Sequence, residues 1–337
     1  MELALLIAAE FDEPWYRTDL ASIVGHRSDE ALATWVDSLC LANLGHRIAD
    51  ARFVNKSVGA VFGVTLADGS HVVLKLFPSI FDETELRAIE RALAFAVSVG
   101  FPAPRQVAPL TLADGVWGAF YELTPGKVLD AHVSDVRQTL AKLLAEFTSV
   151  AVQVDPSSLP VTPTRCDALW PTPHRVGIDV TIPGGEWIDA RAREAQRLIR
   201  ATQLPLIAAH MDWGAKNALF FDEHRVSAIL DWDSLMAASE AEMVGRAAAQ
   251  FTAQWPSMGS LTPSRDEASA FVREYEIARG RRFDAIEQRV INASADYLLA
   301  QAGRHGHSGA GCPDDDFRRL LRETAFRPLV SFAGRGT

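Results

Sequence analysis

Cysteine is scarce. The chain has 337 residues and three cysteines: Cys40, Cys166 and Cys312, far apart and without C-x-x-C spacing. This pattern supports neither a disulfide framework nor a thiolate metal site, so a reducing cytosol is the expected setting. Long apolar runs are missing as well. The N-terminal run from Leu3 to Ala9 falls well short of the roughly 20 residues that span a bilayer, and Glu2 and Glu10 flank it where a signal peptide would carry basic residues. Neither a leader nor a membrane contact is expected. Positive charge is in deficit, with 33 Lys and Arg against 43 Asp and Glu, a formal net charge of -10. A phosphate-backbone binder needs clustered cations, which excludes nucleic acid as the partner. A cationic or neutral small substrate is compatible with this balance. No internal repeat and no low-complexity tract is visible, and no feature specifies an oligomeric state.

What is present is the composition of a globular enzyme, 48% hydrophobic and 23% charged, at a length that suits two lobes. Residues 1–50 read as a helical segment. Ser28, Asp29 and Glu30 signal a start, Leu32, Trp35, Val36 and Leu39 follow at helical spacing, and Gly45 is the stop. Residues 51–123 read as a strand-rich lobe. Val58 to Val64 suggests two short strands around a glycine bend, Ala67-Asp68-Gly69-Ser70 a hairpin turn, and His71 to Phe77 the next strand. A helix over Asp82 to Val99 ends at Gly100, and Val116 to Leu123 is another strand. Residues 124–337 read as mainly helical, with helices near 134–150, 186–202, 264–280, 284–302 and 314–326. The third opens with the capping box Ser264/Glu267. Residues 156–173 are a proline-rich loop.

The chemistry concentrates between residues 204 and 233. An apolar run, Leu206 to Ala209, leads into His210-Met211-Asp212-Trp213-Gly214-Ala215-Lys216-Asn217. Two short strands follow, Ala218 to Phe221 and Val226 to Leu230, and then Asp231-Trp232-Asp233. A hairpin centred on His224 would set Asn217 opposite Asp231. An amide oxygen beside a carboxylate is a hard-oxygen pair of the kind that holds Mg²⁺. Asp212 can reach the same end without being a ligand and could accept a hydroxyl proton.

The stretch HMDWGAKNALFFDEHRVSAILDWD resembles the H-x-D-x-x-x-x-N catalytic loop and following metal-site Asp of the aminoglycoside phosphotransferase family. Choline kinases and protein kinases are more distant in resemblance. The resemblance implies an α+β, two-lobed protein-kinase-like fold, with a small strand-rich N-lobe carrying one helix and a larger, mainly helical C-lobe. It implies an ATP-dependent kinase (GTP is possible as donor) that uses Mg²⁺ and phosphorylates a hydroxyl of a small molecule. Asp212 then resembles the catalytic base, Asn217 and Asp231 the metal ligands, and His210 the histidine that braces the loop.

On the same resemblance the strand lobe should hold a nucleotide-binding lysine. Lys75 in HVVLKLF shares a strand face with Val73 and Phe77. An ammonium there needs a partner, and Glu90, near the middle of the following helix, is the expected one. Ser57 and the Gly59 backbone are candidates for phosphate contact. Tyr121-Glu122-Leu123 before Pro125-Gly126 resembles the interlobe hinge, whose backbone at Glu122 and Leu123 would meet adenine. Candidates on the acceptor side are Trp213, Asp233, Glu240 and Glu242. The acidic ones suit an amine-bearing sugar or aminoglycoside-like antibiotic. Small alcohols such as choline, homoserine or a sugar are alternative acceptors, and an inactive nucleotide-binding regulator is a third reading. Ser239-Glu240-Ala241-Glu242-Met243 stands where the family often has Gly-Asp-Pro and a later Asp.

Overall fold

Alternating apolar residues between positions 48 and 122 build a five-stranded antiparallel sheet. The computed structural model describes residues 2–12, 20–25, 27–56, 59–78, 80–171, 178–254, 260–309 and 315–332. The strands are β1 (Ile48–Lys56), β2 (Ala60–Leu66), β3 (His71–Phe77), β4 (Gln106–Ala113) and β5 (Val116–Glu122), in the order β1-β2-β3-β5-β4. Period-two alternation sends Phe62, Val64, Leu74, Leu76 and Phe120 to one face. There they share a core with Ile7 and Phe11, at and just after helix α1 (Leu3–Glu10), and with Val36 and Cys40 of α2 (Asp29–Leu44). Phe77, Leu110 and Ala119 line the other face under Leu86 of α3 (Glu83–Ser98). Burial in this core pushes the Cys40 thiol up to about 12, so it is an inert packing group.

Three expectations are revised here. The helices before residue 50 are not a separate segment. Their apolar residues join the core of the sheet, and the first compact unit runs over Met1–Val97 and Ala103–Thr124. Gly63 does not bend the chain. It sits inside β2 opposite Phe53, whose ring comes within 2.2 Å of where a Cβ would stand. β4 has no counterpart among the expected strands. It lies at the edge of the sheet and contains Pro109, which an edge strand tolerates and which hides the strand pattern.

The second unit comprises Ser98–Pro102 and Pro125–Thr337. Its helices are α4 (Ser134–Ala151), α5 (Glu186–Arg200), α6 (Glu240–Gln250), α7 (Arg265–Arg279), α8 (Ala285–His307) and α9 (Asp315–Thr324). α7 opens on the expected capping box, with Ser264 N 2.7 Å from Glu267 Oε2 and Glu267 N 3.2 Å from Ser264 Oγ. It ends at Gly280, whose φ of 77° suits glycine best. α6 and α8 cross so closely that a Cβ on Gly245 would lie 2.1 Å from the Ile291 carbonyl oxygen. Two short antiparallel pairs complete the unit. β6 (Leu206–His210) pairs with β9 (Leu235–Ser239), and β7 (Ala218–Asp222) pairs with β8 (Arg225–Ile229). Among the described residues no helix is long and apolar enough to cross a membrane.

Candidate active site

β6 is a buried apolar strand that ends at His210, and the loop after it carries Asp212 and Asn217. His210 is fully buried. Its Nε2 lies 2.9 Å from the Leu230 carbonyl, and a carbonyl only accepts, so Nε2 carries the proton. Nδ1 then accepts from the Asp212 N–H at 3.4 Å. Burial pushes the imidazole down, against the opposing pull of its backbone bond and of Asp231 and Asp212, so the ring is neutral. Phe147, Trp213 and Trp232 surround it with centroids 6.2, 5.7 and 6.5 Å away. His210 thus joins the start of the loop to the end of β8. The far side of the loop is also held. Ala215 N bonds the Phe251 carbonyl at 2.9 Å, and Gly214 passes so close that a Cβ would lie 3.0 Å from the Gln250 carbonyl.

Within this frame the Asp212 carboxylate is asymmetric. Oδ2 accepts from Asn217 Nδ2 at 2.9 Å and from Lys216 Nζ at 2.8 Å. Among the described residues Oδ1 has no such donor, so it is the oxygen that can meet a hydroxyl. Burial pushes this carboxyl up and the nearby Asp231 adds to that, but the Lys216 ammonium, by charge and hydrogen bond, together with Arg246 holds it below its ordinary range. Asn217 Nδ2 also bonds the Asp212 carbonyl at 2.8 Å, which leaves Oδ1 as the side-chain atom of Asn217 that can face a cation.

The β7–β8 turn differs from expectation by one residue. Asp222 pairs with Arg225 and Ala218 with Ile229, so the turn has two residues and is not centred on His224. Asn217 therefore faces Leu230, whose N–H bonds its carbonyl at 2.7 Å. Asp231 stands one residue beyond and leaves the strand in a left-handed conformation, φ 62° and ψ 46°, which Asp tolerates better than most residues. Asn217 and Asp231 both adjoin Asp212, Asn217 through its hydrogen bond to Oδ2 and Asp231 through its charge. Among the described residues no three His, Cys, Asp or Glu gather into a metal cage. A two-donor site fits Mg²⁺, which keeps water and phosphate oxygens as its other ligands.

In the first unit Lys75 lies in the middle of the sheet, 8% exposed, between Val61 of β2 and Ala119 of β5. Its ammonium is 6.0 Å from the centre of the Phe77 ring. Glu90 is not its partner. The Glu90 carboxylate accepts from Arg87 at 3.0 Å, Gln106 at 2.7 Å and the Leu110 N–H at 3.0 Å. These contacts place it over β4, two strand spacings or about 10 Å from β3. Gly59 packs its backbone on β3, where a Cβ would lie 1.9 Å from the Leu76 carbonyl oxygen. Ser57 lies outside the described residues. The hinge candidates use their amides internally, Glu122 N on the Arg105 carbonyl at 2.8 Å and Leu123 N on the His71 carbonyl at 3.0 Å.

Three acceptor candidates turn out to be internal. Trp213 is 1% exposed and donates Nε1 to the Leu140 carbonyl at 3.2 Å. Glu240 is bonded to Tyr275 Oη at 2.7 Å, Arg279 Nε at 2.9 Å and Arg281 Nη2 at 3.0 Å. Glu242 is fully buried, closes a capping box with Ser239 at the start of α6, and holds Thr162, Thr164 and Arg165 of the proline-rich loop. Asp233 is half-buried in the turn Trp232–Ser234 beside Asp231. Two cations near Asp212 escaped the sequence reading. Lys216 had a signal inside the motif, four residues after Asp212. Arg246 had none, because only the crossing of α6 over the loop brings it to Met211.

A family profile described as the phosphotransferase enzyme family matches residues 50–286. Among curated proteins none matches the chain. Solved structures share the fold at low identity. An amicoumacin kinase in complex with AMP-PNP, Ca²⁺ and Ami superposes with a TM-score of 0.66 at 11% identity, over 89% of this chain and 95% of that one. A thermostable mutant of aminoglycoside phosphotransferase APH(4)-Ia, in a ternary complex with AMP-PNP and hygromycin B, gives 0.59 at 14% identity, over 87% and 99%. The GDP complex of aminoglycoside 2'-phosphotransferase-IIIa gives 0.56 at 13% identity, over 86% and 97%. The five-stranded antiparallel sheet of the first unit and the helical second unit are those of the protein-kinase-like fold. The chain belongs to the phosphotransferase enzyme family and is a small-molecule kinase.

Proposed function

We propose that the chain transfers the γ-phosphoryl group of ATP to a hydroxyl of a small molecule, with GTP as the alternative donor. The observation that carries this reading is the Asp212 carboxylate, tied at Oδ2 by Asn217 and Lys216 and open at Oδ1. A carboxylate held in this way can orient an acceptor hydroxyl and take its proton while the oxygen attacks the γ-phosphorus. The new O–P bond forms as the bond to the bridging oxygen breaks, and ADP leaves with that electron pair. Asn217 Oδ1 and Asp231 are the residues that would hold Mg²⁺, which when bound neutralises charge on the phosphates. Lys75 would meet the phosphates from β3, and the backbone carbonyls at Glu122 and Leu123 would meet the base. His210 takes no part in the chemistry and keeps Asp212 in register.

The case for an amine-bearing acceptor rested on Asp233, Glu240 and Glu242. The two glutamates are bonded inside the fold and do not support an amino sugar over a small alcohol, and Asp233, half-buried near Asp231, is the remaining acidic candidate. Asp212→Asn tests the central assignment. It keeps the shape and removes the charge, and ADP release should fall by about 10²–10⁴-fold, while Mg²⁺·ATP still raises the melting temperature by mass action. Wild-type turnover in this variant would remove the base role. Lost nucleotide binding with an intact fold would make Asp212 a metal ligand instead.

A further inference from the structure

Around Asp212 the second unit gathers two cations, Lys216 and Arg246, with Asp231 as the neighbouring carboxylate. Lys216 and Arg246 both act on its charge, but they are held differently. The Lys216 ammonium is answered directly, 2.8 Å from Oδ2. Arg246, half-buried on α6, bonds only neutral oxygens among the described residues. Its Nε lies 2.6 Å from the Met211 carbonyl, and Nη1 and Nη2 lie 3.2 and 3.3 Å from Gln301 Oε1 on α8. Each Nη has two protons, and the amide oxygen takes one from each at most. A guanidinium taken partly out of water with no carboxylate in hydrogen-bond contact is a net cost to the fold, which the more distant charge of Asp212 offsets only in part. Fixing the loop does not explain that cost, because Gln250 Nε2 also holds the Met211 carbonyl, at 3.2 Å. The planar fork of an arginine matches a carboxylate or a phosphate. Two of the three carboxylates that would have met an amine, Glu240 and Glu242, are bonded elsewhere.

Resting on the phosphoryl-transfer reading above, we propose that Arg246 is an acceptor-binding residue, and that the acceptor carries an anionic oxygen group, a carboxylate or a phosphate, close to the hydroxyl that is phosphorylated. The anion docks on the outer Nη protons of Arg246. The hydroxyl then gives its proton to Asp212 Oδ1 as its oxygen bonds the γ-phosphorus and ADP departs. An ammonium at the same place would be repelled by Arg246 and Lys216 together.

The test uses ADP release from Mg²⁺·ATP with matched acceptors that share a hydroxyl-bearing skeleton and differ in one group. Glycerate, its amide and the corresponding amino alcohol form one set. Glycerol phosphate separates phosphate from carboxylate, and kanamycin represents polycations. Wild-type kcat/KM should be about tenfold or more higher for the carboxylate or the phosphate than for the amide and the amine, the scale of a charge-assisted hydrogen bond. R246Q should bring that ratio towards unity, because the anionic member alone loses its partner. R246K should keep part of it, as a point charge in place of a fork.

A role in merely holding the loop predicts a different result. R246Q would then lower kcat for every acceptor alike and leave the ratio unchanged, which would overturn the proposal. Faster turnover of kanamycin or the amino alcohol would also overturn it and leave the kinase reading standing. So would a protein that binds Mg²⁺·ATP but turns over no member of the panel. No ADP from any acceptor, with no Mg²⁺·ATP effect on the melting temperature, would remove the kinase reading and the proposal with it.

Discussion

Replacing Glu242 with glutamine separates an anchor from an acceptor ligand. The carboxylate is fully buried. Oε1 accepts from Thr162 at 3.2 Å and Thr164 at 2.8 Å. Oε2 accepts from Arg165 Nη2 at 2.6 Å and Nε at 3.1 Å, and from Ser239 N at 3.0 Å and Oγ at 2.8 Å. Glutamine keeps the shape but removes the charge from Arg165 and turns an NH₂ group towards partners that all donate to the carboxylate, so hydroxyls must reorient or Arg165 and the Ser239 N–H lose their acceptor. Breaking a buried pair by removing one partner costs about 3–5 kcal/mol. Arg165 retains 18% side-chain exposure and can relax towards water, which places the loss near the lower end, about 3 kcal/mol. In a unit of this size each kcal/mol moves Tm by about 2–4 °C, so the expected drop is about 6–12 °C. Calorimetry would measure it, with KM for the acceptor taken well below both transitions. The expected outcome is a lower Tm with an unchanged KM. An unchanged Tm with a raised KM would refute the reasoning and return Glu242 to the acceptor site. A double variant with Glu242→Leu and Arg165→Met should regain much of the loss, because replacing both partners by apolar groups can be nearly neutral.

His132 donates to Glu267 Oε1 at 2.8 Å and to the Ser260 carbonyl at 3.0 Å, so both ring nitrogens carry protons. Burial lowers its pKa, but the Ser260 and Glu267 bonds raise it further, and the net shift is upward. Its stabilisation is therefore complete below the unfolded value of about 6.5 and is lost as pH rises through the higher folded value. Urea unfolding of wild type and His132→Gln should differ by about 1 kcal/mol in mild acid and converge in mild base; a gap that widens with pH would contradict this. Gly245→Ala should destabilise by about 1–3 kcal/mol through its clash with the Ile291 carbonyl, measured by denaturant midpoint, and a rise in stability would show that α6 and α8 can move apart. Lys75→Met should lower nucleotide affinity or kcat/KM by about tenfold or more, by isothermal titration or ADP release, with the fold intact; normal turnover would refute the role of Lys75.

Local signals carried much of the fold. Ser28 and Gly45 bounded α2, Ser264 and Glu267 opened α7, and Asp68-Gly69 turned β2 into β3, because caps and turns depend on residues a few positions apart. The same signal stands at Ser239 and Glu242, where a helix start is one reading of the two glutamates, but α6 is absent from the expected helices. The H-x-D-x-x-x-x-N spacing placed His210, Asp212, Asn217 and Asp231 in one neighbourhood, since a strand, a short loop and a hairpin leave few alternatives. The exact pairing was out of reach, because one residue in the turn decides whether Asn217 faces Leu230 or Asp231.

Sequence alone thus determined the fold class and the family, through spacings that the backbone reads locally. Tertiary structure alone decided which charges are used and which remain. Glu90 and Lys75 share a unit, but strand order sets one over β4 and the other in β3. Glu240 and Glu242 read as acidic surface until α7 and the proline-rich loop supplied their arginines. Arg246 reached the loop after β6, bonded there to neutral oxygens, only when α6 crossed that loop. Such partners lie tens of residues apart in sequence, and their pairing follows from helix packing and desolvation, which no local pattern encodes.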